Sequence, residues 1–224
     1  MHHITFYYDP ISPYAYLAFE QLPQALAGLS YSVSYTPILF AGLLKVHGQM
    51  GPAEIAPKRE WTYRQVLWQA KSLGIPFQMP AMHPFNPLGL LRLATACANA
   101  QGHTNRFVTQ QILNHVWHGG ADASNSERLE LLTQTLASNI KTDSDAAKAR
   151  LKANTDAALQ AGCFGVPTLR ALRAGAPSGA EKNFWGLDAL PMLREYLEGS
   201  AWFEAGQAGD WDSVTSIGAG IVRK

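Results

Sequence analysis

The 224 residues carry only two cysteines, Cys97 and Cys163, and these form no C-x-x-C pair. A local dithiol redox centre is therefore absent, and neither a disulfide framework nor a compact zinc knuckle is indicated. Such cysteine usage fits a reducing compartment. No run of about 18 apolar residues occurs, so no spanning helix is expected. The N-terminus lacks the basic segment and apolar core of a secretory leader, and the expected location is cytoplasmic. Charge of one sign is also missing: 18 Lys and Arg against 17 Asp and Glu give a net charge of +1. With no whole-protein field, neither nucleic acid nor an anionic membrane is an expected partner. A small ligand recognised locally remains.

What is present is an ordinary globular composition, 47% apolar and 16% charged, enough for a substantial core. Residues 3–8 are β-branched and aromatic and predict a first strand. Pro10 and Pro13 then stop it and open a helix over about Tyr14 to Ala27. Tyr31, Val33 and Tyr35 alternate with Ser32, Ser34 and Thr36, the pattern of a second strand.

From Pro37 to Gly162 the signals are helical. Val66, Leu67, Ala70 and Leu73 share a face and end before Pro76; Leu88 to Ala100 predicts another helix; Val108, Ile112 and Val116 form an i, i+4 stripe that stops at Gly119-Gly120. Ser124 with Glu127 and Thr142 with Asp145 read as capping boxes, and Gly162 suits a helix ending at Ala161. About five helices are expected there. Val166 to Leu172 and Asn183 to Trp185 then predict strands, and Leu187 to Leu197 a last helix. The expected α/β organisation is β-α-β, helical insertion, β-β-α. Residues 1–36 and 163–198 would form one domain, 37–162 a helical insertion and 199–224 an irregular tail.

Two short segments carry the chemistry. Ser12 stands where the first strand turns into the first helix, and Gly165-Val166-Pro167-Thr168 follows the insertion. A helix N-terminus offers unpaired N–H groups and about half a positive charge, so it favours an anion such as a thiolate beside it. A Ser12 hydroxyl donating to a charged acceptor adds about 1.5–3 kcal/mol, and the helix end about 0.3–1 kcal/mol. At about 1.4 kcal/mol per pKa unit, the two would lower a bound thiol by about one to three pKa units. Taken alone, Ser12 reads first as a simple N-cap, and most X–Pro bonds are trans. Joined, the two segments suggest a thioredoxin-like fold with a glutathione site, the Val166–Pro167 bond being cis.

The chain resembles the 2-hydroxychromene-2-carboxylate isomerase family, relatives of kappa-class glutathione transferases within the thioredoxin-fold superfamily that includes disulfide oxidoreductases. The matching residues are Phe6-Tyr7-Tyr8-Asp9 with Ser12-Pro13-Tyr14, Lys45, Pro84-Phe85-Asn86, Phe164 to Thr168, and Phe184-Trp185-Gly186-Leu187-Asp188. The resemblance implies glutathione as cofactor, with Ser12 activating its sulfur and Val166 before cis-Pro167 pairing with its cysteinyl backbone. Trp185, Gly186, Leu187 and Asp188 would hold the γ-glutamyl end, where a carboxylate can pair with the ammonium. Lys45, Phe85 and Asn86 would face an anionic aromatic substrate, and related enzymes are often homodimers. One departure is Glu54-Ile55, just after Gly51-Pro52, where the better-studied isomerases have Asn followed by a basic residue. It leaves the substrate open.

Two other functions use the same segments: a glutathione transferase or peroxidase, and a non-catalytic thioredoxin-fold module holding a peptide. Dithiol exchange is rejected, because Ser12-Pro13-Tyr14-Ala15 occupies the C-x-x-C positions. His115 and His118 have helical spacing but no third ligand of convincing spacing, so no metal is expected. Cys163 reads as a small buried hydrophobe. Trp61, Trp68 and Trp117 read as core or pocket wall, and Lys58, Arg59 and Arg64 beside Glu60 as a solvated face.

Overall fold

A computed structural model describes residues 1–136, 141–204 and 211. Strand β1 (His2–Tyr8) is followed by helix α1 (Pro13–Ala25) and strand β2 (Tyr31–Pro37). Six helices come next: α2 (Phe40–His47), α3 (Ala56–Leu73), α4 (Leu88–Ala96), α5 (Arg106–Trp117), α6 (Ser126–Leu136) and α7 (Asp145–Gln160). Strands β3 (Thr168–Leu172) and β4 (Lys182–Trp185) and helix α8 (Leu190–Glu198) complete the order, with 3₁₀ turns at Pro52–Glu54 and Ala201–Phe203.

The sheet runs β2-β1-β3-β4, with β1 parallel to β2 and antiparallel to β3, and β3 antiparallel to β4. Central strand β1 is covered on both faces, which is why its apolar residues run together instead of alternating. Ile4, Phe6 and Tyr8 join the larger core with side chains of α1, α3, α4, α5 and α8. Tyr7 points the other way, into a smaller cluster with Ile38, Leu43, Ala158, Cys163 and Val166. The β1–α1 turn thus emerges at the end of the most buried strand.

Pro23 sits inside α1 and has no N–H to give to Phe19 O, four residues back. Arg106 of α5 supplies the missing donor, its Nη1 lying 3.4 Å from Phe19 O and its guanidinium carbon 4.2 Å from the Phe19 ring. One cation thereby ties α5 to the helix that Ser12 precedes.

The strands fall close to the sequence expectation, while several ends move. α1 stops at Ala25 and α4 at Ala96, and the third strand begins at Thr168, after the Val166–Pro167 bend. Six helices, not five, separate β2 from β3 among the described residues. The two capping boxes shift as well. Asn125 Oδ1 accepts from Arg128 N at 2.9 Å, and Ser144 Oγ from Ala147 N at 3.2 Å. Asn and Ser are as good caps as the residues first chosen, so a run rich in such residues offers several starts. Gly162 adopts a φ of 79°, as expected of a left-handed residue after a helix. Of the expected irregular tail, Ala201–Phe203 forms the 3₁₀ turn and the Trp211 ring lies tilted against those of Phe184 and Phe203, both at 5.4 Å; residues 205–210 and 212–224 lie outside the described residues.

Candidate active site

Ser12 caps α1 and also touches the second segment. It is the N-cap of α1, with extended backbone and its Oγ accepting from Ala15 N at 3.2 Å, and Pro13 follows where a missing N–H costs nothing. The same hydroxyl donates to Val166 O at 3.3 Å, across 154 residues of chain. Ser12 and Val166 are both buried, at 8% and 7% exposure, and the Val166–Pro167 bond is cis.

The second segment is fixed by its own bonds. Thr168 Oγ1 donates to Gly165 O at 2.8 Å, and Gly186 N donates to Pro167 O at 3.0 Å, which binds the Val166–Pro167 loop to the residues after β4. Gly186 has a φ of 97°, a conformation that L side chains rarely adopt. Trp185 is half exposed and tilts against Phe164 with ring centroids 4.9 Å apart. Its indole covers Gly165 so closely that a Cβ there would collide with Nε1. Leu187 is buried and Asp188 exposed. Burial raises the Tyr14 phenol pKa, and the negative charge of Asp188 adds to it, so Asp188 faces the first turn of α1.

Ser12, Val166 and Pro167 are therefore brought together directly, and Trp185 to Asp188 flank them. Lys45, Phe85 and Asn86 are joined to this group only through intermediaries. Lys45 is exposed in the last turn of α2. Phe85 is half-buried with its ring 6.1 Å from that of His83, and Asn86 Oδ1 accepts from Leu88 N at 3.1 Å, so that oxygen is engaged at the start of α4. Neither Lys45 nor Asn86 bonds to Ser12.

Three residues to which the sequence assigned no part in this turn hold the segment that presents Ser12. Asp9 accepts from Ile11 N at 3.0 Å through Oδ1 and from Phe40 N at 2.9 Å through Oδ2. Trp117 Nε1 donates to Pro10 O at 3.1 Å. His83 Nε2 lies 2.8 Å from Ile11 O, an atom that only accepts, so Nε2 carries the hydrogen. His83 Nδ1 lies 2.8 Å from Tyr63 Oη, which donates to His83 O at 2.7 Å. The carbonyls of Asp9, Pro10 and Ile11 each have a donor, from Ser12 N, Trp117 and His83 in turn. Burial pushes the Asp9 carboxyl up to about 7 against the two amide bonds, and lowers the His83 pKa against its bond to Ile11. The one signal available in the sequence was an acid inside a strand-to-helix turn.

The remaining candidates sort themselves by environment. Cys163 is buried and its thiol is pushed up to about 11, so it stays protonated and packs as a hydrophobe. His115 Nε2 lies 3.1 Å from Ala123 O and His118 Nε2 lies 2.6 Å from Tyr16 Oη; among the described residues no three metal-binding side chains gather. Trp117 is core, stacked on Phe77 at 5.3 Å, whereas Trp61 and Trp68 are largely exposed. Arg64 pairs with Glu60 at 3.3 Å on the solvated face of α3. A cavity of about 770 Å³ lined by Arg170, Arg173, Tyr196 and Trp211 shares no residue with the Ser12 group.

A parallel–antiparallel sheet with a helix N-terminus facing a cis-proline loop defines a thioredoxin-type site. The chain belongs to the family of the DsbA-like thioredoxin domain, whose model matches residues 3–198. It is similar to glutathione S-transferase kappa 2 of Caenorhabditis elegans, with 24% identity over 206 residues, 87% of this chain and 91% of that protein. It is also similar to the 2-hydroxychromene-2-carboxylate isomerase of Pseudomonas putida, with 27% identity over 206 residues, covering 87% and 93%. The structure of a 2-hydroxychromene-2-carboxylate isomerase superposes with a TM-score of 0.70 at 24% identity, covering 88% of this chain and 94% of that one. No helix among the described residues is long and apolar enough to cross a membrane.

Proposed function

We propose that the protein is a glutathione-dependent isomerase of the 2-hydroxychromene-2-carboxylate type, acting on a conjugated aromatic carboxylate in a reducing, cytoplasmic setting. The observation that carries this is the Ser12 hydroxyl, 3.3 Å from Val166 O at the N-terminus of α1. The fit to a cysteinyl peptide is supported by the backbone: Val166 N–H has no acceptor among the described residues, and Val166 O accepts only a long bond from Ser12. An extended ligand can take both, leaving the Ser12 proton free to turn to its sulfur.

The chemistry glutathione supplies when bound is reversible addition of its sulfur to a conjugated carbon, so that a bond losing double-bond character can rotate. Ser12 holds that sulfur as its anion by donating its hydroxyl, with the end of α1 adding its partial positive charge. Val166 aligns the cysteinyl backbone. Trp185 and Leu187 wall the γ-glutamyl end, and Asp188 pairs with its ammonium. Lys45 orients the substrate carboxylate, and Phe85 excludes water from its ring. Asn86 would have to release Leu88 N to offer its oxygen; its amide NH₂ is the group available to the substrate. A homodimer is part of this proposal, by analogy with related enzymes.

The kappa-class relative supports a second reading, transfer of glutathione to an electrophile. One experiment separates the two: 2-hydroxychromene-2-carboxylate is followed by ultraviolet-visible absorbance with and without glutathione. Isomerisation that requires glutathione and falls in Ser12→Gly supports the proposal. Isomerisation at the same rate without glutathione refutes it.

A further inference from the structure

Asp9 is the one fully buried carboxylate among the described residues. Its two oxygens serve two different segments. Oδ1 takes the N–H of Ile11, which precedes Ser12, and Oδ2 takes that of Phe40, the first residue of α2, 31 residues on. The side chain is thus a strut between the Ser12 turn and the helix that carries Lys45. Both bonds require lone pairs, and among the described residues neither oxygen lies against an acceptor for a carboxylic proton. A hydrogen on either oxygen costs one of the two amide bonds its best acceptor.

Among the described residues no cation offsets this charge. From β1 the neighbouring titratable group is the Tyr8 phenol, 3.4 Å from Thr104 Oγ1 and pushed up to about 12, mainly by burial. α2 contributes Lys45 and His47 in its last turn, and the segment before α4 contributes His83, committed to Ile11 O. None of them pairs with Asp9. Burial, opposed only by the two amides, therefore brings the carboxyl to about 7, where small pH changes alter its charge.

We propose that Asp9 is a positioning residue of the Ser12 site, whose carboxylate ties the Ser12 turn to α2 and whose protonation releases one end of that tie. The structural half stands on the two amide bonds. The catalytic half rests on the proposed glutathione site, because a Ser12 turn loosened from α2 would present its hydroxyl less well to a bound sulfur.

The test begins with the free, full-length protein. The amide resonances of Ile11 and Phe40 and the Asp9 side-chain ¹³C carboxyl are followed from about pH 5 to 9. All three titrating with one midpoint near neutrality supports the tie, and the carboxyl signal needs no variant. Amides that stay still while the carboxyl titrates, or that titrate equally in Asp9→Asn, overturn it. Glutathione is then added: the apparent pKa of the bound thiol should follow the same midpoint in the wild type and lose that dependence in Asp9→Asn. Concerted amide titration in a protein that gives no thiolate signal with glutathione supports the tie and refutes the proposed function, so the two fail separately.

Discussion

Ser12→Gly removes the hydroxyl while leaving α1 its cap, because Gly at an N-cap costs only a few tenths of a kcal/mol where Ala costs about 0.5–2 kcal/mol. In the wild type the hydroxyl has a weak task, a 3.3 Å bond to Val166 O, so turning it toward a ligand sulfur sacrifices little. Against a thiolate the donated bond is worth about 1.5–3 kcal/mol, or about one to two pKa units. A cysteinyl thiol starts near 8.5; if the site lowers it to about 6.5, roughly three-quarters is ionised at pH 7. Loss of the hydroxyl returns the thiol to about 7.5–8.5, and the ionised fraction falls by roughly three- to twenty-five-fold. The assay is difference absorbance in the thiolate band, with saturating glutathione titrated across pH against the wild type. Ser12→Ala should show the same rise in thiol pKa but also melt earlier, because both variants lose the bond from Ala15 N and glycine is tolerated at the N-cap far better than alanine. An unchanged thiol pKa in Ser12→Gly, with glutathione still bound, would refute the reasoning.

Gly165→Ala places a methyl against the Trp185 indole, whose exposed ring can swing away; tryptophan fluorescence should change and glutathione affinity drop by about two- to tenfold, read by calorimetry. Gly186→Ala must hold a φ of 97°, and should lower stability to urea by about 1–2 kcal/mol. Asp188→Asn should weaken glutathione by up to about fivefold at low salt and less at high salt, because an exposed ion pair contributes about 1 kcal/mol or less. Since the folded state raises the Asp9 carboxyl from 3.8 to about 7, its contribution to stability is greatest below pH 3.8 and is lost as pH rises to about 7. Urea unfolding of wild type minus Asp9→Asn should therefore decline between those limits; a flat difference would contradict the buried carboxyl.

The strands were legible because β-branched and aromatic residues run between prolines and small polar residues, and that pattern depends little on tertiary context. The start of α3 was not: Ala56-Pro57-Lys58-Arg59-Glu60 has no apolar face, and only Pro57 near the N-terminus marks it. Helix caps were ambiguous because Asp122, Ser124 and Asn125 all offer a suitable oxygen, and the first and last use it, toward Ser124 N and Arg128 N. The Ser12–Val166 pairing was reached only by joining the two segments as parts of one fold, since nothing local to either points to the other 154 residues away. The roles of Asp9 and His83 in holding the turn were hidden for a related reason. Their partners, Phe40 and Ile11, lie 31 and 72 residues from them, and a carboxylate or imidazole whose role is to hold a turn leaves no spacing to read.

The central claim is that this chain binds glutathione, activates it at Ser12 and returns it. The most direct measurement is to incubate the protein with a large excess of 2-hydroxychromene-2-carboxylate over glutathione and quantify both product and free thiol after the reaction stops. Many product molecules for each glutathione, with the thiol recovered in full, is the predicted result; thiol consumed one for one with product, or product formed without any glutathione, would contradict the account.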